Sequence, residues 1–256
     1  MKFAIFTKSD KDVSKEVEQL LAECKKYNFT EDENNPDLVF VLGGDGTFLK
    51  AVHHYLDKLE TIKFIGFKLG SLGFFYDFSK EDIAEVVKNI AKGDYLVDSH
   101  KLLECKVKDN IIYAVNEIGV GRTFHSVECS VKINNDYFEE IHGNGLLVCS
   151  PLGSTGYNRS LGGSVIHNDL DVLQLTEISS IQNNVYRSLG TSLILSGDSV
   201  ITLDGDFNGA KIGYDHWSLL CEDVNHIEIK KSNKKVNIIF DKKHDGLTAI
   251  KRSFVK

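Results

Sequence analysis

Gly43-Gly44-Asp45-Gly46-Thr47 places one carboxylate inside a glycine-rich turn. The turn follows an apolar run, Leu38 to Leu42, that reads as a β-strand. It precedes Phe48 to Leu56, where apolar and polar residues alternate at helical spacing. A strand that passes through such a turn into a helix suits anions. Glycines let backbone N–H groups approach a polyphosphate, the helix N-terminus attracts negative charge, and Thr47 offers a cap for the helix and a hydroxyl for a phosphate oxygen. Asp45 is the odd member, because a carboxylate beside phosphates is costly unless it holds a metal, orients a nucleophile or accepts a proton. Two readings follow. Either Asp45 is a catalytic group with Gly44, Gly46 and Thr47 around the phosphates, or it is a turn aspartate that only hydrogen-bonds the backbone.

A second polar constellation, Asn116-Glu117, follows the apolar run Ile111 to Val115 and precedes Ile118-Gly119-Val120-Gly121. The Asn amide both donates and accepts, matching the edge of an adenine, and the Glu carboxylate accepts from both hydroxyls of a ribose. The competing reading is a pair of exposed strand residues beside a bulge. Gly153 to Tyr157 adds small residues, two hydroxyls and an aromatic plane, with Asn158, Arg159 and Ser160 continuing the polar side of the loop and Gly162-Gly163 permitting close backbone approach. Its plain alternative is a long connection between strands. The chain has no Gly-x-x-x-x-Gly-Lys-Ser/Thr, no Gly-x-Gly-x-x-Gly opening a helix and no Gly-x-Ser-x-Gly elbow, so the phosphate chemistry falls to the Asp45 turn.

Taken in order, Gly-Gly-Asp-Gly-Thr at 43 to 47, Asn116-Glu117, and Gly145-Leu146 through Ser150-Pro151 to Gly153-Ser154-Thr155-Gly156-Tyr157-Asn158 and Leu161-Gly162-Gly163 make a chain that resembles the NAD kinase family. The resemblance implies transfer of the γ-phosphate of ATP to the 2′-hydroxyl of the adenosine ribose of NAD. A divalent cation, Mg2+, would be bound with ATP, and polyphosphate is an alternative donor. It implies Asp45 as the catalytic residue, nucleotide contacts from Phe74, Asn116, Glu117, Thr155, Tyr157, Ser160 and Tyr186, and His216 near the added phosphate. It also implies a homodimer or homotetramer. The chain departs from the family pattern in reading His142-Gly143-Asn144-Gly145 where Arg-Gly-Asp-Gly is common, and in carrying Gly156 where Ala is usual. Asn144 is therefore expected to weaken NAD binding, with Asn144→Asp tightening it, and His142 to approach the new 2′-phosphate as a titratable cation. Two rivals stand beside this reading: a diacylglycerol- or sphingosine-type lipid kinase sharing the Gly-Gly-Asp-Gly turn, and a non-catalytic NADP(H) sensor that keeps the pocket without the chemistry.

The elements that must position these residues change character along the chain. Residues 1–100 alternate strand and helix: Lys2 to Thr7, an apolar helical face of Val13, Val17, Leu20, Leu21 and Cys24, then strands at Leu38 to Leu42 and Lys63 to Phe67. A second glycine-bearing turn, Lys68 to Gly73, follows the third strand, and ligands of open parallel sheets bind at that edge. Ser79 with Asp82 predicts a helix start, Ile83, Val86, Val87 and Ile90 its buried stripe, and Gly93 its stop. Beyond residue 100 come short β-rich runs, with hairpins expected at Asp109-Asn110, Asn134-Asn135-Asp136 and Ser232-Asn233. The expectation is an α/β N-terminal domain over 1–100, Rossmann-like and of the phosphofructokinase and diacylglycerol-kinase type. An all-β sandwich over 101–256 follows, its last residues free to pack back on the first domain; in the family, nucleotides bind between the two.

Composition sets the outer bounds. The formal charge of −7 argues against general nucleic-acid or membrane-surface binding, and no apolar stretch reaches the roughly 18 residues of a spanning helix. The N-terminal apolar run is interrupted by Lys8-Ser9-Asp10-Lys11 too early for a secretory signal, which predicts a soluble, cytoplasmic protein. Five cysteines without Cys-x-x-Cys spacing read as small buried hydrophobes, and nine histidines without His-Glu-x-x-His spacing predict no metal site.

Overall fold

The computed structural model describes residues 1–7, 12–70 and 73–255, so Lys8 to Lys11, and Ser71 and Leu72 of the second glycine-bearing turn, lie outside the described residues. The chain divides into two compact units, one of residues 1–100 with 234–256 and one of residues 101–233.

The first unit opens with β1 (Lys2–Thr7), α1 (Ser14–Lys26), β2 (Thr30–Glu31), β3 (Leu38–Gly43), α2 (Asp45–His54), β4 (Lys63–Lys68), β5 (Phe78–Ser79) and α3 (Ile83–Ala91). The strands are parallel in the order β2-β1-β3-β4-β5. β3 is buried along its whole length, as a strand covered on both faces must be. On one face Leu20 and Cys24 of α1 and Ile83, Val86, Val87 and Ile90 of α3 pack on Phe3, Phe40, Leu42, Ile65 and Phe67. Leu21, expected on the α1 face, is exposed. α2 packs on β3, and its Phe48 meets Phe64 of β4, ring centroids 5.8 Å apart. The helix signals around α3 hold: Asp82 accepts from both the backbone N–H and the hydroxyl of Ser79, each at 2.7 Å, and Gly93 ends the run at φ 71°.

The second unit is all β apart from short helical turns. A hairpin of β6 (Leu96–Val107) and β7 (Asn110–Ala114) leads to β8 (Glu117–Gly121), β9 (Val127–Ile133), β10 (Asp136–Gly143) and β11 (Gly145–Cys149). A one-turn helix at Tyr157–Ser160, α4, precedes β12 (Val172–Ile178), β13 (Leu193–Ser196), β14 (Ile201–Gly205), β15 (Lys211–Tyr214) and β16 (Trp217–Leu220). One antiparallel sheet runs β13-β12-β11-β8-β15-β16. Facing it, β10, β9 and β14 continue to the first residues of β17 (His226–Phe240). Their inward residues share one core, Ile118, Val120, Leu146, Val148 and Ile212 against Val131, Ile141, Ile201, Leu203 and Ile229. That is the β-sandwich expected from the change of period. Asn134 and Asn135 turn the β9–β10 hairpin with φ of 54° and 70°, a left-handed geometry that Asn tolerates.

Ser232-Asn233 is not a hairpin. β17 runs straight through it, and Ser232 is 4% exposed, a partnered residue inside a strand and not a turn tip. Near its end Asn237 and Ile238 pair parallel with Lys63 and Phe64 of β4, and α5 (Gly246–Phe254) follows. Residues 234–256 group with the first unit, whereas the sequence reading set its boundary between 100 and 101 and left the last residues free to pack back. All five cysteines are buried and free, and burial pushes the thiols of Cys24, Cys105, Cys129 and Cys149 up to about 12. No helix among the described residues is long and apolar enough to cross a membrane.

Candidate active site

The carboxyl ends of β3 and β4 lie side by side, with Gly43 in register with Lys68 and the Leu69 N–H donating to the Gly43 carbonyl at 3.4 Å. The two loops that follow meet at Asp45. Its Oδ1 and Oδ2 each lie 3.0 Å from the Phe74 N–H, and Oδ1 also accepts from the Phe75 N–H at 3.3 Å. Asp45 thus does hydrogen-bond backbone, as a turn aspartate would, but these donors come from a loop 29 and 30 residues further along. Gly44 is the N-cap of α2 and Asp45 its first residue. Thr47, expected as the cap, is 5% exposed and packs beneath Gly43, where a Cβ would collide with its side chain. The turn is held from below by Tyr76, whose hydroxyl donates to the Gly44 carbonyl at 2.7 Å. Burial, reinforced by the Asp45 charge, drives that phenol far above its ordinary range, so it remains a donor. Phe75 stacks on Phe48 at 4.7 Å, fixing the second amide.

In the second unit Asn116 and Glu117 sit where β8 begins. The Asp215 carboxylate, on the tight turn between β15 and β16, accepts from the backbone N–H groups of Val115 and Asn116 at 2.9 and 2.8 Å. Ser150 bonds the same segment from the other side, its hydroxyl donating to the Val115 carbonyl at 2.7 Å and its N–H to the Asn116 carbonyl at 2.9 Å. Gly153 lies so close to the Asn116 carbonyl that any side chain would collide with it. Asn116 Oδ1 and Glu117 Oε2 are buried without a hydrogen-bond partner. Burial, then the neighbouring Asp215 charge, pushes the Glu117 carboxyl up to about 8. Two adjacent buried polar atoms without partners are an expensive arrangement in a folded chain, and a polar ligand would relieve it. Gly156 belongs here too, since a methyl at that position would stand 3.4 Å from Glu117 Oε2.

The loop after Gly153 separates into frame and surface. Asn158, read as part of the polar face, is fully buried: its amide donates to the carbonyls of Ser154 and Ser164 at 3.3 and 3.2 Å and accepts from the Thr176 hydroxyl at 2.9 Å. Thr155 is half-buried, while Tyr157 and Ser160 are exposed. His216 is exposed beside Asp215 in the hairpin turn. Tyr186 meets another predicted residue: its ring lies on that of His142, centroids 3.8 Å apart, while His142 Nδ1 stands 3.4 Å from Glu128.

Asn144 is committed elsewhere. Its Nδ2 donates to the carbonyls of Arg122 and Thr123 at 3.2 and 3.4 Å, while its backbone bonds Ile178 and Arg122. This reverses the effect expected of Asn144→Asp, because a carboxylate would face two carbonyls that need a donor. The variant should lose about 1–3 kcal/mol of stability with no gain in NAD affinity. Denaturant melts and calorimetric NAD titration read both. Sequence reasoning also missed Asp215, Ser150 as a brace and the amides of Phe74 and Phe75. Ser150 stands in the Ser150-Pro151 motif with no role assigned to it, and Asp215 left a trace as the first residue of the two-residue turn between β15 and β16.

Comparison with known proteins agrees in both halves. Residues 4–95 match the ATP-NAD kinase N-terminal domain and residues 109–240 the ATP-NAD kinase C-terminal domain. The chain is 38% identical to NAD kinase 1 of Listeria innocua over 93% of this chain and 92% of that one. It is 32% identical to NAD kinase 1 of Bacillus cereus over 100% and 99%. Its fold is that of yeast NADH kinase complexed with NADH, TM-score 0.84 at 20% identity over 98% and 86% of the chains. The NAD kinase from Archaeoglobus fulgidus in complex with ATP gives a TM-score of 0.77 at 22% identity over 95% of each.

Proposed function

The chain belongs to the ATP-NAD kinase family, and from that premise we propose that it transfers the γ-phosphate of ATP to the 2′-hydroxyl of the adenosine ribose of NAD, giving NADP. The observation that carries this reading is the Asp45 carboxylate, held at the head of α2 by the amides of Phe74 and Phe75 at the carboxyl edge of a parallel sheet. Phosphoryl transfer passes through a loose transition state, so positioning and charge neutralisation do most of the work. Asp45 orients the 2′-hydroxyl and takes its proton late. Gly44 and Gly46 leave backbone close to the phosphates. Asn116 and Glu117 read the adenosine, Glu117 accepting from ribose hydroxyls, while Thr155, Tyr157 and Ser160 line the same nucleoside region.

No cluster of three or more His, Cys, Asp or Glu side chains suited to a metal occurs among the described residues. The divalent cation, Mg2+, arrives on the donor as Mg-ATP, in keeping with the preference of that ion for phosphate oxygens and water. Five free, buried cysteines support a reducing, cytoplasmic setting.

Purified protein incubated with Mg-ATP and, in separate reactions, NAD, NADH, diacylglycerol and a sugar phosphate should yield NADP from NAD; polyphosphate in place of ATP tests the donor range. A phosphorylated lipid with no NADP would establish the lipid-kinase reading, and binding of NADP without turnover the sensor. We also expect a homodimer or homotetramer in sedimentation. A monomer with full activity at micromolar concentration would overturn that expectation and the placing of Tyr186 near the nucleotide.

A further inference from the structure

The loop carrying Phe74 has an inner and an outer side. Inward, Phe75 stacks on Phe48, and Tyr76 lies in the core against Gly66, where a Cβ would collide with its ring. Outward, two residues of the loop are gripped by the last stretch of the chain. Asp77 Oδ2 lies 2.7 Å from His244 Nδ1 and accepts from the Asp241 N–H at 3.2 Å. The ring of Phe74 meets that of Phe254 at the end of α5, centroids 5.5 Å apart and 34° between planes, within the range of attractive aromatic pairs. The segment makes two further contacts of its own. His244 stacks on Phe240 at 3.8 Å, and Asp245 caps α5 by accepting from the Leu247 N–H at 3.0 Å.

We propose that the C-terminal segment Asp241–Val255 is a clamp that positions the Asp45 carboxylate, with Phe254 and His244 as its positioning residues. The clamp holds loop 73–77 at Phe74 and Asp77, and the loop presents the Phe74 and Phe75 amides to Asp45. Neither Phe254 nor His244 touches substrate in this account. They act on chemistry through a backbone whose placement within a fraction of an ångström decides how well Asp45 is aimed. The inference rests on the reading of Asp45 as the group that receives the hydroxyl proton.

The test uses the full-length protein carrying Phe254→Ala, Phe254→Tyr or His244→Gln. Phe254→Ala should lower kcat for NAD phosphorylation about 5- to 10-fold with the NAD KM within about twofold, the pattern of a lost transition-state interaction. Amide hydrogen exchange at Phe74 and Phe75 should quicken about 10-fold or more. Phe254→Tyr should restore both readouts, and His244→Gln should move both in the same direction as Phe254→Ala, which keeps the test open if one variant folds poorly. A kcat within twofold of the parent in Phe254→Ala overturns the proposal. So does a fall in kcat with unchanged exchange at Phe74 and Phe75, or an effect confined to KM. If the reading of Asp45 is what fails, Asp45→Asn will turn over normally while Phe254→Ala still speeds exchange in the loop, so the two failures look different.

Discussion

Asp45→Asn is expected to lower turnover by at least about two orders of magnitude while NAD binding stays within a few-fold, because general-base assistance and hydroxyl orientation are lost and the nucleoside-reading residues are untouched. The substitution is a fair one for this turn. An Asn Oδ1 still accepts from the Phe74 and Phe75 amides, the contacts that Asp45 Oδ1 makes at 3.0 and 3.3 Å. The Tyr76 hydroxyl still holds the Gly44 carbonyl, and Thr47 still packs under Gly43. The fold should therefore survive, with the carboxylate charge and the second acceptor, the Oδ2 that also lies 3.0 Å from the Phe74 N–H, removed. Steady-state formation of NADP, with calorimetric titration of NAD on the same preparation, separates chemistry from binding. Near-normal turnover in a folded Asp45→Asn protein would remove Asp45 from the reaction and leave it as a brace for loop 73–77.

What could be read in the sequence was local. β3, α2 and the start of α3 were legible because their signals are packed into a few residues: an unbroken apolar run, a glycine turn, a Ser79-Asp82 capping pair. The hairpin at Asn134-Asn135 was legible for the same reason. The error at Ser232-Asn233 arose because the polarity of two residues was taken as a turn. β17 changes neighbours there, from antiparallel pairing with β14 to parallel pairing with β4, and nothing in its own sequence records a change of partner. The grouping of residues 234–256 with the first unit follows from that same long strand; the sequence reading left the last residues free to pack back without locating where the return begins.

The site divides in a similar way. Residue types announce what a side chain is able to do, and the Asp45 turn and Asn116-Glu117 were found on that basis. Types do not announce which groups are already occupied. Asn144 and Asn158 both looked available to a ligand, yet each spends its amide on backbone carbonyls of a neighbouring segment. His142 and Tyr186, assigned separate tasks, stack on one another across 44 residues of sequence. The amides that hold Asp45 belong to no motif, since a backbone N–H is present at every residue but proline and only the fold selects which ones converge.

Glu117 carries the second large effect, and here occupancy works in the opposite direction. Its Oε2 is buried without a partner, and burial with the Asp215 charge raises its carboxyl to about 8. At neutral pH the free protein therefore holds this group largely protonated. Ribose hydroxyls donating to it favour the ionised form, so NAD binding should release a proton below pH 8, and affinity should rise with pH and level off above about 8. Glu117→Ala should raise the NAD KM about 10- to 100-fold at pH 8.5 with kcat within a few-fold, since a hydrogen bond to a charged acceptor contributes roughly 1.5–3 kcal/mol in ground and transition states alike. Glu117→Gln should abolish the pH dependence. The same shift bears on stability, with its sign set by the raised value. The stabilising contribution of Glu117 is fully present below the ordinary 4.5 and is lost as pH rises through 8, because the unfolded chain ionises freely and the folded chain does not. Glu117→Gln should consequently gain stability relative to the parent as pH is raised from 5 to 8.5. Denaturant melts across that range, paired with titrations of NAD in buffers of different ionisation enthalpy, are the measurement. A proton count of zero on binding together with parallel stability curves would show that Glu117 is ionised in the free protein and is not waiting for a ribose.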